Sequence, residues 1–382
     1  MCTRKAVFAK IKEKVASEHF FGASPAPFIG RHGYPFVNVG ILSPGESGDQ
    51  VSMYDAPESW ARDNLSISKV VDYRSALVNS RAKATIKGTS SRTVEIAREV
   101  TMSSKPVDVE IDFLKVPKLS MSFNQFSAPT GPSAEMKSAR IASTPKIHHK
   151  VEKVFSDTDL KAAPAVNYLF KSGFDVNFIS KLLSVSTMGL KSNRRLVPTR
   201  FSITATDDII GKEQIAKIKD FNSADTYEMY FGGYMGNYFM VMFFPRLWSY
   251  ELFEAFAKGD DYATDYESFS GRTYYADNTA GGYYAARLPV LEKLIQIRRQ
   301  ASVLVIRMIT DEYTTPLGVW VVREAVRKAV QSKPIEFASK ELMLRYAELL
   351  MTRKFGYKHS TKIISSSELL ASLKQTTLSS FV

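Results

Sequence analysis

An α+β fold, a mixed sheet packed by helices behind a turn-rich N-terminal lobe, is predicted by three features of the 382-residue sequence. Hydrophobic residues make up 45% and charged residues 24%, enough apolar surface to bury a large core. Segments of period two and of helical period are intermixed, with neighbouring strands close enough to pair as hairpins. Prolines and glycines crowd the first 45 residues (Pro25, Pro27, Gly30, Gly33, Pro35, Gly40 and Pro44), as a lobe built from turns requires. A doubly wound parallel sheet would instead alternate strands and helices regularly.

In chain order, the spacing of apolar residues predicts helices over 59–81 and 90–102. Ser156 is placed as an N-cap with Asp159 at the third helical position, opening a helix that carries Leu160, Ala163, Val166 and Leu169. The alternation of 200–206 (RFSITAT) predicts a strand ending at Asp207 and Asp208. Two strands over 227–231 and 238–244 flank a turn at Gly232 and Gly233, and 248–257 reads as a helix. The acidic run 259–267 (GDDYATDYE) reads as an exposed loop. A helix over 283–300, a buried strand over 302–309 (SVLVIRMI) and a helix over 319–330 with Val319, Val322, Val326 and Ala329 on one side complete the pattern. Composition then divides the chain into a turn-rich lobe (1–115), a Pro/Ser/Gly-rich linker or crossing segment (116–146), an α+β body (147–364) and a flexible tail (365–382).

Several function classes drop out. One cysteine, Cys2, leaves no internal disulfide and no cysteine-based zinc cluster. The first 20 residues interrupt their apolar positions with charges, unlike a secretion signal, and runs such as 239–245 fall short of a membrane span. The expectation is a cytoplasmic protein with no membrane partner. Lys and Arg total 51 against 39 Asp and Glu, a formal charge of +12, which favours polyanionic partners such as DNA. Three basic clusters are candidates to track phosphates: Lys137, Arg140, Lys146, Lys150 and Lys153; Lys191, Arg194, Arg195 and Arg200; and Arg353, Lys354, Lys358 and Lys362 with His359. Solvated helix and loop faces are the competing reading of each.

The sharpest motif is Gln375, Thr376, Thr377, Leu378, Ser379, Ser380, Phe381 and Val382. Residues three apart eclipse on a 3₁₀ turn, so Leu378 and Phe381 can enter one apolar pocket while the Gln375 amide reads its edge. The pattern resembles the PIP motif that holds DNA enzymes on the sliding clamp (PCNA), with Val382 where a second aromatic is usual. A second candidate is catalytic: Asp207 and Asp208, at the end of the expected strand, would bind a divalent metal while Arg200 meets a phosphate. The third is the Gly281–Gly282 turn leading into a helix, which could cradle a nucleotide phosphate. Close backbone packing is its alternative explanation.

Taken together, SPAPFIGRHGYPFVNVG (24–40), MYDAPESW (53–60), YRSALV (73–78), APTGP (128–132), SDTDLKA (156–162), RRLVPTRFSITATDD (194–208), GGYYAAR (281–287) and GVWVVRE (318–324) resemble the archaeal Nre family of DNA repair proteins across nearly the whole chain. The resemblance implies an archaeal DNA repair factor that binds the sliding clamp through residues 375–382. It supplies no catalytic mechanism. Family members often begin with a four-cysteine segment, and here Cys2 stands alone, so a zinc site is not expected. The alternatives are a metal-dependent phosphoesterase or nuclease using Asp207, Asp208 and Arg200, and a nucleotide-binding protein using the Gly281–Gly282 turn.

Overall fold

The computed structural model describes residues 18–117, 123 and 126–374, and shows an α+β chain with two six-stranded mixed sheets and packed helices. It divides into two units, one of residues up to Ile210 with Thr315–Gly318 and one of Gly211–Thr314 with the residues from Val319 onward.

In the first unit β1 (His19–Ser24), β2 (Ala26–Ile29), β3 (Phe36–Ser43), β4 (Val78–Thr85), β5 (Val107–Phe113) and β6 (Ser133–Ile141) are ordered β1-β5-β6-β4-β3-β2. The β4/β6 pair is parallel and its neighbours are antiparallel. The sequence VDVEIDF of β5 alternates strictly, so Val107, Val109, Ile111 and Phe113 enter the core while Asp108, Glu110 and Asp112 turn outward. Short helices α1 (Pro57–Arg62) and α2 (Ile67–Ala76) precede β4, and α3 (Arg92–Met102) adds Ile96 and Val100 to the same core. Gly131 passes under α2, where a Cβ would lie 2.3 Å from the Ser75 carbonyl oxygen, so no larger residue fits. A helical group of α4 (His149–Ser156), α5 (Ala162–Lys171) and α6 (Val176–Ser184) leads to α7 (Thr199–Ile218), whose residues from Gly211 on belong to the second unit.

The second unit is built on β7 (Tyr227–Tyr234), β8 (Asn237–Phe244), β9 (Ser249–Phe256), β10 (Tyr262–Glu267), β11 (Ser302–Ile309) and β12 (Ile335–Phe337), ordered β10-β9-β11-β8-β7-β12. All eight residues of β11 are buried, Arg307 among them, as a largely apolar strand between two partners demands: β9 parallel on one side, β8 antiparallel on the other. Helices α8 (Gly281–Ile297) and α9 (Trp320–Gln331) pack on one face. The other face receives Met343, Ala347 and Met351 of α10 (Lys340–Phe355), Ile363 of α11 (Ser360–Ser366) and Leu369 and Leu370 of α12 (Glu368–Ser372).

The helices expected over 90–102, 283–300 and 319–330 and the strands over 227–231, 238–244 and 302–309 are present. Others are corrected. Residues 200–206 are helical, within α7, not a strand. The helix starts after Pro198, whose carbonyl accepts from Ser202 N–H, and its hydroxyls fold back: Ser202 Oγ donates to the Thr199 carbonyl (3.0 Å) and Thr206 Oγ1 to the Ser202 carbonyl (2.8 Å). Most of the expected helix over 248–257 is instead β9, paired with β10 on one side and β11 on the other and buried over most of its length on both faces. The expected helix over 59–81 breaks into α1, α2 and the start of β4. Ser156 ends α4 instead of capping a helix start, and Asp157 Oδ1 accepts from the N–H groups of Asp159 and Leu160.

The turn between β7 and β8 falls at Met235 and Gly236, both left-handed (φ 52° and 73°), leaving Gly232 and Gly233 inside the strand. Much of the acidic 259–267 run is β10, with Asp265 and Glu267 buried. The crossing segment 116–146 contains β6, and the linker-like 365–372 is helical, its Leu369 and Leu370 in the core.

Candidate functional site

The second basic cluster separates into three roles. Arg194 is half-buried and spends its guanidinium on carbonyls: Gly189 (2.8 Å), Phe155 (2.7 Å) and Asp157 (2.8 Å). It thereby caps the C-terminal end of α4, where a cation also complements the helix dipole. Burial lowers its pKa, partly offset by Asp157. Arg195 is exposed. Arg200 lies over the Phe126 ring, its guanidinium carbon 3.4 Å from the centroid.

The third cluster closes α10. Arg353, Lys354 and Lys358 are exposed, and the last turn of the helix is where cations gain from its dipole. Lys354 Nζ also sits 5.3 Å from the Phe231 ring centroid and 5.9 Å from that of Tyr238, and Lys362 Nζ 5.5 Å from Tyr262. His359 pairs with Asp260 at 3.2 Å. Lys354 and Lys362 thus stand beside aromatic rings while remaining exposed.

Arg200, Asp207 and Asp208 share one helix, not the end of a strand. At about 1.5 Å of rise per residue, Arg200 and Asp207 stand on the same side of α7 but roughly 10 Å apart along it. Asp207 is buried. Among the described residues no three His, Cys, Asp or Glu side chains are grouped as a bound metal ion would require. The geometry on which the divalent-metal reading rested, two acids and an arginine at a strand end, is therefore not formed.

The Gly281–Gly282 turn opens α8, preceded by Ala280 in a rare backbone conformation (φ 47°, ψ −128°). Its surroundings are carboxylates. A Cβ on Gly282 would stand 2.5 Å from Glu254 Oε1, and Asp265 Oδ2 accepts from both the backbone N–H (2.7 Å) and the hydroxyl (2.8 Å) of Thr279. The negative charge at this helix start is the protein's own. Next to it lies a buried polar network that sequence reading missed. Glu267 pairs with Arg287 at 2.7 Å and accepts from Trp248 Nε1 at 3.2 Å, while Arg272 donates to Asp265 at 3.1 Å and to the Tyr266 carbonyl at 2.8 Å. Burial raises the Tyr250 and Tyr283 hydroxyls well above the usual phenol range. The one available signal was the two-residue spacing of Asp265 and Glu267, which puts both on one face of a strand.

Gln375, Thr376, Thr377, Leu378, Ser379, Ser380, Phe381 and Val382 lie outside the described residues. Among the described residues no helix is long and apolar enough to cross a membrane.

The candidate acids thus lie along a helix, Asp207 buried and Asp208 half-buried, while Arg195, Arg353 and Lys358 stand exposed. Residues 1–262 match the model of the archaeal Nre N-terminal region and residues 267–381 that of the archaeal Nre C-terminal region. The chain is 37% identical over 360 residues to the DNA repair protein NreB of Archaeoglobus fulgidus, covering 91% of this chain and 90% of the relative. It is 36% identical over 340 residues to the DNA repair protein NreA of Haloferax volcanii, covering 85% and 81%. NreA of Archaeoglobus fulgidus is 36% identical over 368 residues, covering 94% and 91%. No solved structure matches. These similarities support a role in archaeal DNA repair, and with both family models matched and relatives aligned along most of its length, the chain belongs to the archaeal Nre family.

Proposed function

We propose that this protein is a DNA repair factor brought to its DNA by the sliding clamp, PCNA, through Gln375–Val382. The observation that carries the reading is the spacing of Gln375, Leu378 and Phe381 in a chain whose relatives are named DNA repair proteins. Tethering converts a weak encounter with DNA into a local one at high effective concentration, so the body itself needs only modest affinity. The net charge of +12 is suited to that modest, salt-sensitive attraction.

Calorimetric titration of an archaeal sliding clamp with the full chain tests it. Leu378→Ala together with Phe381→Ala removes the apolar anchor and should cost about 2–4 kcal/mol, a loss of roughly thirtyfold to a thousandfold in affinity. Thr376→Ala and Ser379→Ala should change it little. A chain ending at Lys374 should lose clamp binding and keep its melting temperature. Equal affinity with and without residues 375–382 would refute the proposal.

A further inference from the structure

A strip of the first unit is exposed, aromatic and cationic at once. Residues 31–36, joining β2 to β3, are exposed throughout. Tyr34 and Phe36 within them are 63% and 59% exposed, although rings of that size are usually covered. Two backbone hydrogen bonds line up three stretches side by side. The Ile86 N–H donates to the Pro35 carbonyl (2.9 Å), and the Ile86 carbonyl accepts from the Leu196 N–H (2.8 Å).

Beneath this row Ile29, Val37, Val39, Ile86 and Leu196 belong to one buried cluster, which gives the strip a packed floor. Above it the flanking residues Lys83, Lys87 and Arg195 are exposed. The β3/β4 register sets Phe36 opposite Thr85 and Asn38 opposite Lys83, so ring and ammonium share the outer face of the sheet. No Asp or Glu occurs in 30–45, 78–94 or 191–206, the segments that build the strip. It ends at Arg81, which faces Glu135 of β6.

We propose that this strip is a stacking platform for single-stranded DNA, with Tyr34 and Phe36 receiving bases and Arg31, Lys83, Lys87 and Arg195 following the phosphates. The choice of DNA rests on the repair reading above; the strip itself selects unpaired bases, because exposed rings need open base faces to stack on. A duplex hides those faces and would use the cations alone. Charge complementarity names the occupant: a polyanion with flat apolar faces fits cations interleaved with aromatics on segments that carry no acid.

The test is fluorescence anisotropy with the full chain, no clamp present, and a labelled oligodeoxythymidine of about 20 nucleotides over a salt series. Two sets of exposed substitutions are compared. Tyr34→Leu with Phe36→Leu keeps the apolar bulk and removes the stacking faces; affinity should fall by about tenfold per ring. Lys83→Ala, Lys87→Ala and Arg195→Ala should flatten the salt dependence by about 0.7 for each single-strand phosphate no longer neutralised. Both sets should melt with the parent chain, and either one alone decides if the other fails to fold.

Single strands bound with parent affinity by both sets would overturn the platform and leave the DNA-repair reading standing. Tighter binding of a duplex, or of RNA of the same length, would overturn it too. Clamp binding with no single-strand binding would overturn the platform while preserving recruitment.

Discussion

Asp55 receives two cations: Lys181 Nζ at 2.9 Å, and the guanidinium of Arg74, which also donates to the Pro129 carbonyl at 2.8 Å. Burial alone would raise the Asp55 carboxyl, but the Lys181 and Arg74 charges outweigh it and hold the pKa below the usual value. A depressed pKa means that the unfolded chain takes up the proton more readily. The stabilisation is therefore present above about pH 4 and is lost as pH falls through the lowered folded value. Asp55→Asn should cost about 3–5 kcal/mol at neutral pH, because it leaves the buried Arg74 and the partly buried Lys181 uncompensated. Denaturant unfolding at pH 7 and near pH 3 checks this: the gap between parent and variant should narrow in acid, and an undiminished gap would remove the ion pair as its cause. Neither partner was singled out from sequence, since 126 residues separate Asp55 from Lys181.

At the scale of single elements, Gly232 and Glu251 carry the sharpest consequences. A Cβ on Gly232 would come 2.7 Å from the Ala329 Cα of α9, backbone against backbone, so β7 and α9 touch only because this position is bare. Gly232→Ala should destabilise by about 1–3 kcal/mol, measured as a lowered melting temperature with intact secondary structure. Glu251 on β9 accepts from the Ser367 hydroxyl and from the backbone N–H groups of Glu368 and Leu369 (both 3.1 Å), and so caps α12 from outside the helix. Burial raises its carboxyl against these bonds. Glu251→Leu should release α12, seen as faster proteolysis within 367–374 while the sheet persists; unchanged cleavage would assign the docking to Leu369 and Leu370 alone. These interactions explain why composition read 365–372 as a linker: its serines serve as caps, and only two leucines mark the buried side. The strand misassigned over 200–206 has a parallel cause, since Ser and Thr satisfy helical carbonyls as readily as they decorate a strand.

Over the whole molecule, the excess of cations gathers in a few acid-poor stretches, and their settings differ. Arg194 is consumed in capping, whereas Arg353 and Lys358 stand exposed at the end of α10 and beyond. Replacing Arg353 and Lys358 by Ala should flatten the salt dependence of duplex binding by about 0.9 for each phosphate that the side chain had neutralised, evenly across sequences. An unchanged slope would assign both to a solvated surface. The sequence by itself determined the α+β class, the long periodic helices and the buried β11, because hydrophobic period is local and survives without partners. It also carried the family resemblance and the 375–382 motif, which are properties of residue order alone. Tertiary structure decided whether 200–206 and 248–257 became helix or strand, that Asp207 became buried in mid-helix, and that Pro35, Ile86 and Leu196 came to lie in one row. For 248–257 and the row of Pro35, Ile86 and Leu196 the outcome depends on hydrogen bonds between segments tens to more than a hundred residues apart, a pairing that no local pattern encodes, whereas 200–206 turned on local Ser and Thr bonds that suit helix and strand alike.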